Sequence, residues 1–114
     1  MTTKRLGLLL PSSGTVQEVD FYRRVPDDVS VHAARMRLAG TTEPDEVRML
    51  DEHALPAARD LATIRPDVVV FSCTSAGALR GAGYDAELCA RISEETGAPT
   101  VSPLAAAREA LERL

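Results

Sequence analysis

One thiol and a cluster of hydroxyls are the groups in this sequence with chemistry to offer. The stretch Asp67-Val68-Val69-Val70-Phe71-Ser72-Cys73-Thr74-Ser75-Ala76-Gly77 is an apolar, β-branched run that ends abruptly in small and hydroxyl residues around Cys73. A cysteine thiolate is a nucleophile. Hydroxyls and free backbone N–H groups at helix starts suit a carboxylate or phosphate oxygen. Together they point to nucleophilic chemistry beside an anion. The competing reading is a small buried residue at a strand end, since free cysteine is among the most buried residue types. The neighbouring hydroxyls would then serve as helix caps.

The remaining reactive types add little. Cys89 falls mid-helix beside Leu88 and Ile92 and reads as core. His32 and His53 lie on other elements, so no Cys–His pair is indicated, and both read as structural or surface residues. Arg35 and Arg37 sit near a strand end, where a fork of donors suits a carboxylate; a solvated or paired arginine is the ordinary alternative. Six residues separate Cys73 from Arg80, one more than in a C-x5-R phosphatase loop. There is no G-x-G-x-x-G after the first strand and no P-loop lysine. The acids of a phosphorylated receiver domain are missing from the first two strand ends. Two cysteines without a C-x-x-C give neither a disulfide framework nor a zinc site, so no metal is expected.

An α/β frame must position these groups. Residues 6–10 (Leu-Gly-Leu-Leu-Leu) read as a central strand, broken by Pro11-Ser12-Ser13-Gly14-Thr15. Thr15 with Glu18 resembles a capping box for a helix to about Arg24, with Val16, Val19 and one of Phe21 or Tyr22 facing the sheet. Pro26-Asp27-Asp28 is a turn. Residues 29–38 begin with period-two alternation and form a second strand. Thr42 as N-cap, Pro44 and the acids Glu43, Asp45 and Glu46 open a helix. Val47, Leu50, Ala54, Ala57 or Ala58 and Leu61 recur through it at helical spacing, and Pro56 kinks it without ending it. The strand to Cys73 follows, then a small-residue loop over 76–83. A helix over 84–96 turns Leu88, Cys89 and Ile92 inward and closes at Gly97. Residues 99–101 form a short fourth strand. Ser102 and Pro103 then open a last helix with Leu104, Ala107 or Arg108, and Leu111 as its apolar stripe.

The order βαβαβαβα predicts a flavodoxin-like, doubly wound parallel four-stranded sheet in a single domain over 1–114. In such sheets ligands gather beyond the carboxyl ends of the strands. Four loops would share that edge and bring together Cys73 with Ser12, Ser13, Thr15, Thr74, Ser75 and Ser102.

Bulk properties narrow the function. The 114 residues are 45% hydrophobic and 26% charged, ordinary for a globular domain. A net charge of −4 argues against nucleic acid or an anionic membrane as partner. No apolar run approaches the ~20 residues of a membrane span, and the run near the N-terminus is too short for a signal peptide. Cysteine usage fits a reducing cytoplasm. Aromatics make up 4% with no Trp, too few for a base- or sugar-stacking platform.

Four segments carry a resemblance: Leu8-Leu9-Leu10-Pro11-Ser12-Ser13-Gly14-Thr15, His32-Ala33-Ala34-Arg35-Met36, Phe71-Ser72-Cys73-Thr74-Ser75-Ala76-Gly77 and Gly97-Ala98-Pro99-Thr100-Val101-Ser102. They resemble the first lobe of maleate cis–trans isomerases, which are related to arylmalonate decarboxylases in the two-lobed Asp/Glu racemase superfamily. The resemblance implies cofactor-independent chemistry on a small carboxylic or dicarboxylic acid. Cys73 matches the first-lobe cysteine that adds to the double bond, and Ser12, Ser13, Thr74 and Ser75 match positions around the substrate carboxylates. The decarboxylases are less similar here, because their first lobe usually has glycine at the position of Cys73. The isomerase loop typically reads Pro-Ser-Ser-Asn-Thr, and Gly14 stands where the Asn would be. The second lobe, with its own cysteine, lies outside these 114 residues. A homodimer or a complementary second lobe is therefore the implied partner. A non-catalytic lobe that binds small acids or assembles with a partner is the alternative.

Overall fold

The computed structural model describes residues 3–113, without the side chains of residues 76–78, 82, 104, 105 and 107–109. Its centre is β1 (Lys4–Pro11), whose Leu-rich run has partners on both edges. It pairs in parallel with β2 (Val29–Met36) from Lys4 opposite Val29 to Pro11 opposite Met36. On the other edge it pairs with β3 (Val68–Phe71), from Leu6 opposite Val68 to Leu9 opposite Phe71. β4 (Thr100–Val101) extends the sheet beside β3, giving the all-parallel order β2-β1-β3-β4.

Alternation along the central strands divides the apolar residues between two layers. Leu6, Leu8 and Leu10 join Val31 on one face, where Phe21 and Val25 cover them along with Val68 and Val70. Leu9, Val69 and Phe71 point the other way. They meet Leu50, Ala54, Ala57, Ala58 and Leu61 together with Leu88, Cys89 and Ile92. A strand buried on both faces is continuously apolar for this reason.

The helices follow the expected order, with three corrections. The first concerns α1 (Val16–Arg24), where Val16 is 66% exposed and Val19 is also exposed. The helix is turned so that Phe21 faces the sheet, and the Tyr22 hydroxyl donates to the Val31 carbonyl at 3.2 Å. Thr15 does not form a capping box. Its backbone (φ −120°, ψ −17°) departs from the extended conformation of a capping residue, and its side chain makes no cap bond. Glu18 pairs instead with Arg35 of β2.

The second correction concerns the expected loop over 76–83, which is helical. α4 (Thr74–Arg80) follows Cys73 directly, and α5 (Ala82–Thr96) follows after a break at Gly81, where φ is 91° and glycine is favoured. A long-range clamp fixes α4. Arg80 donates to both Asp51 carboxylate oxygens, at 2.8 and 3.1 Å, and lies over the Tyr84 ring at 4.8 Å from its centroid. The Arg80 hydrogen bonds hold the Asp51 carboxyl below its ordinary value. The third correction is at the C-terminus. In α6 (Pro103–Glu112), Leu111 is 68% exposed instead of inward, while Leu104, Ala107 and Arg108 lie outside the described residues.

The helical pattern through Pro56 is continuous, as expected, but its kink takes a specific form. α2 (Glu43–Arg48) and α3 (Ala54–Ala62) are joined by a π-helical turn, Met49–His53. Pro56 offers no N–H to the Glu52 carbonyl and crowds it, and the wider turn relieves that contact. Thr42 caps α2, its hydroxyl accepting from the Asp45 N–H at 3.4 Å. Gly97 ends α5 at φ 72°. Among the described residues no helix is long and apolar enough to cross a membrane.

Candidate active site

The strand order places a crevice between β1 and β3. The chain leaves β1 toward β2 on one side and later returns to build β3 and β4 on the other. The connections after β1 and β3 therefore diverge, and ligand sites form at such switch points. A cleft of about 320 Å³ opens there, lined by Pro11, Ser13, Gly14 and Gln17 from the first connection and by Ser72, Cys73, Thr74 and Ser75 from the second. Leu38, just past β2, closes one side.

Cys73 is a free thiol, 6% exposed. The Ser72 N–H donates to the Leu9 carbonyl at 2.7 Å, which fixes where the chain leaves the sheet. The Cys73 Sγ lies 3.5 Å from the Ser75 Oγ. Thr74 and Ser75 open α4, so their backbone N–H groups have no intrahelical acceptor. The cleft thus combines a thiol, several hydroxyls and the start of a helix.

The wall opposite Cys73 is held by its own bonds. Pro11 through Gly14 is a tight turn, with the Gly14 N–H on the Pro11 carbonyl at 2.9 Å. The Ser12 N–H reaches the Met36 carbonyl at 2.7 Å, and the Ser12 hydroxyl accepts the Leu38 N–H at 2.9 Å. Arg35 donates to the Ser12 carbonyl at 3.0 Å and to the Gly14 carbonyl at 2.8 Å, and also pairs with Glu18. Its guanidinium is committed to the loop rather than to a ligand.

Arg35→Ala is expected to cost about 1 kcal/mol in urea unfolding, a value reduced by the exposure of the ion pair. The same change should speed iodoacetamide labelling of Cys73, because the loosened turn uncovers the thiol. Arg35→Lys should not restore either property, since an ammonium lacks the planar fork whose Nη1 meets both carbonyls while its Nη2 meets Glu18.

Of the residues expected at the strand ends, Cys73, Ser13, Thr74 and Ser75 line one cleft. Ser12 holds the wall from behind. Thr15 is exposed at the start of α1, and Arg37 is exposed past β2. Ser102 lies apart, 1% exposed, donating to the Asp85 carboxylate at 2.5 Å. It follows the edge strand β4, one strand removed from the crevice. His32 bonds Ser30 at 2.8 Å and His53 lies 3.9 Å from Glu52, both away from the cleft.

Gln17, Ser72 and Leu38 line the cleft without having been singled out from the sequence. Gln17 had one usable signal: the first turn of a helix after a strand–loop unit lies at the carboxyl end of the sheet.

Cys89 behaves as core. Burial, then the nearby Asp85 charge, pushes its thiol up to about 11 from an ordinary 9.0. The unfolded chain loses this proton near pH 9, whereas the folded chain keeps it to about 11. Its contribution to stability therefore falls as pH rises through that window. Urea unfolding at pH 8 and pH 10 should show wild type losing about 1 kcal/mol more than Cys89→Ala.

No protein-family model matches the chain. Among curated proteins, the maleate isomerase of Alcaligenes faecalis is 29% identical over 100 residues, covering 81% of this chain and 39% of that protein. Among solved structures, a cysteine-to-serine mutant of the Nocardia farcinica maleate cis–trans isomerase carries a covalently bound succinylcysteine intermediate. It superposes with a TM-score of 0.83 at 25% identity, over 96% of this chain and 48% of that one. A liganded double mutant of arylmalonate decarboxylase gives 0.72 at 27% identity, over 88% and 42%. The chain thus spans less than half the length of these relatives. Over that span, one lobe of those structures, it is maleate isomerase- and arylmalonate decarboxylase-like.

Proposed function

We propose that this chain is one lobe of a cofactor-independent isomerase that acts on a small cis-dicarboxylate of the maleate class, with Cys73 as nucleophile. The observation that carries this reading is the position of Cys73, at the switch-point crevice among Ser13, Ser72, Thr74 and Ser75. Similarity to maleate isomerases over one lobe supports it.

In this mechanism the Cys73 thiolate adds to one alkene carbon. A C–S bond forms, the C=C π bond breaks, and its electron pair moves onto the far carbon and its carboxylate. The central bond, now single, rotates. The electron pair then returns to form the trans alkene as the C–S bond breaks and the thiolate leaves. No net proton or electron is consumed. The carboxylate that receives charge needs donors already in place, since preorganised dipoles stabilise developing charge without rearranging. The hydroxyls of Ser13, Thr74 and Ser75 and the first amides of α4 are suited to that role.

The cleft is walled from one lobe only. A second copy of this chain, or a complementary second lobe, would close it and exclude water. The two free cysteines accord with a reducing cytoplasm. Gly14, at the position of the isomerases' Asn, favours a second reading, a lobe that binds small acids without turnover. An arylmalonate-type decarboxylase is a third.

Incubation with maleate, followed by intact-mass spectrometry and a fumarate assay, separates these readings. A mass gain of one maleate with fumarate released supports the isomerase. An adduct without fumarate supports a half-site. No adduct, with an unreactive Cys73, removes the nucleophile and leaves a binding lobe.

A further inference from the structure

The Cys73 cleft is built to face an anion, yet no lysine, arginine or histidine is among its lining residues. The nearby Arg35 is engaged by two carbonyls and Glu18. Recognition must therefore come from neutral donors. Apart from single hydroxyls, the lining contains one side chain with two N–H donors, the carboxamide of Gln17.

The position of that carboxamide depends on Gly14. A Cβ placed on Gly14 would lie 2.8 Å from the Gln17 Oε1 and 3.2 Å from its Nε2. The first of these is closer than a real Cβ approaches. The same Cβ would also lie 3.2 Å from the Pro11 carbonyl oxygen, which belongs to backbone and cannot swing away. The amide thus fills space that a side chain at residue 14 would take. Gln17 is half-buried, and its amide makes no hydrogen bond to any described residue. It lines the same cleft as Cys73, and no described group occupies its donors.

We infer that the Gln17 carboxamide is the carboxylate-recognising donor of the Cys73 cleft, admitted there because Gly14 has no side chain. The inference rests on the reading of Cys73 as a nucleophile that meets small carboxylates. It makes Gln17 a specificity residue: it holds the anion while the hydroxyls at α4 stand on the sulfur side. Gly14 acts through it as a positioning residue.

The test compares two alkylating agents of similar size, iodoacetate and iodoacetamide, at Cys73. Each reacts by thiolate displacement of iodide, but only iodoacetate carries a carboxylate. Labelling is located by peptide mass spectrometry, so that Cys89 is counted separately. Wild type should favour iodoacetate over iodoacetamide, relative to free cysteine. Gln17→Ala and Gln17→Leu should lower that ratio about tenfold, the expected loss for one hydrogen bond to a charged group. Their iodoacetamide rates should stay near wild type, which shows that the cleft is folded. Gln17→Glu should lower the ratio further through like-charge repulsion, and Gly14→Ala should lower it by displacing the amide.

An unchanged ratio in Gln17→Ala and Gln17→Leu overturns the inference, as does the absence of any iodoacetate preference in wild type. The isomerase reading fails separately. If maleate gives no adduct while the Gln17-dependent iodoacetate preference persists, the isomerase is lost and the carboxylate donor stands. If maleate adds equally well to wild type and Gln17→Ala, the donor is lost and the nucleophile stands.

Discussion

Cys73→Ser should form no maleate adduct and should lose any maleate-to-fumarate conversion by a factor on the order of 10³ or more. The argument is chemical. A thiol is far more acidic than an alcohol and attacks as the thiolate, whereas a serine hydroxyl needs a general base to remove its proton. The cleft lining contains no histidine and no carboxylate to serve as that base. The substitution exchanges sulfur for oxygen at a buried position 3.5 Å from a hydroxyl it can still meet, so the fold should be retained. The check is intact mass after maleate incubation, paired with a thermal melt of both proteins. An unchanged melt without adduct assigns the loss to the nucleophile. An adduct that survives in Cys73→Ser would place the reactive group elsewhere and end the present reading of the cleft.

Phe71→Ala should be the most destabilising single change near the site, at about 3–5 kcal/mol. Phe71 is fully buried at the end of β3, two residues before Cys73, and packs into the layer formed with α3 and α5. Its removal leaves a cavity between the sheet and both helices. A domain of this size has roughly 5–15 kcal/mol in total, so the variant would lose a large share of its stability. Urea unfolding should show the midpoint fall sharply, and both cysteines should become reactive toward iodoacetamide as the layer opens. Phe71→Leu keeps most of the volume and should cost less than about 1.5 kcal/mol, so that Cys73 labelling stays slow. A Phe71→Ala protein as stable as wild type would mean that this layer does not hold β3 in place.

These two residues lie two positions apart, Phe71 ending β3 and Cys73 just beyond it, and the contrast between them shows how the site is supported. Phe71 fixes the strand, and the Ser72 N–H on the Leu9 carbonyl fixes its exit. Cys73 is then delivered to the crevice by the sheet itself. Its position is precise because the register with β1 is set residue by residue.

Much of this was legible in the chain. The run 6–10 is apolar at consecutive positions, which only a strand buried on both faces requires. Its central place in the sheet followed from that. Cys73 at a strand end, Thr42 as a cap, Gly97 as a helix stop and the core positions of Leu88, Cys89 and Ile92 all came from local chemistry that does not depend on distant partners.

What tertiary structure alone decided was direction and partnership. Val16 and Val19 carry an apolar periodicity, yet α1 turns Phe21 to the sheet, because Tyr22 and Glu18 find partners on β2. Residues 74–80 have little helical signal of their own, and α4 is braced by Arg80 reaching Asp51 across the fold. Ser102 shares the composition of the site residues, but it follows the edge strand and bonds Asp85. Gln17 looked like an ordinary helix residue until the space left by Gly14 put its amide beside the cleft. Sequence by itself determined the strands and the buried faces of the helices that pack on the central layer, because period and capping are local. The fold determined which polar groups meet, because hydrogen bonds between residues 9 to 29 positions apart depend on how the strands and helices lie side by side.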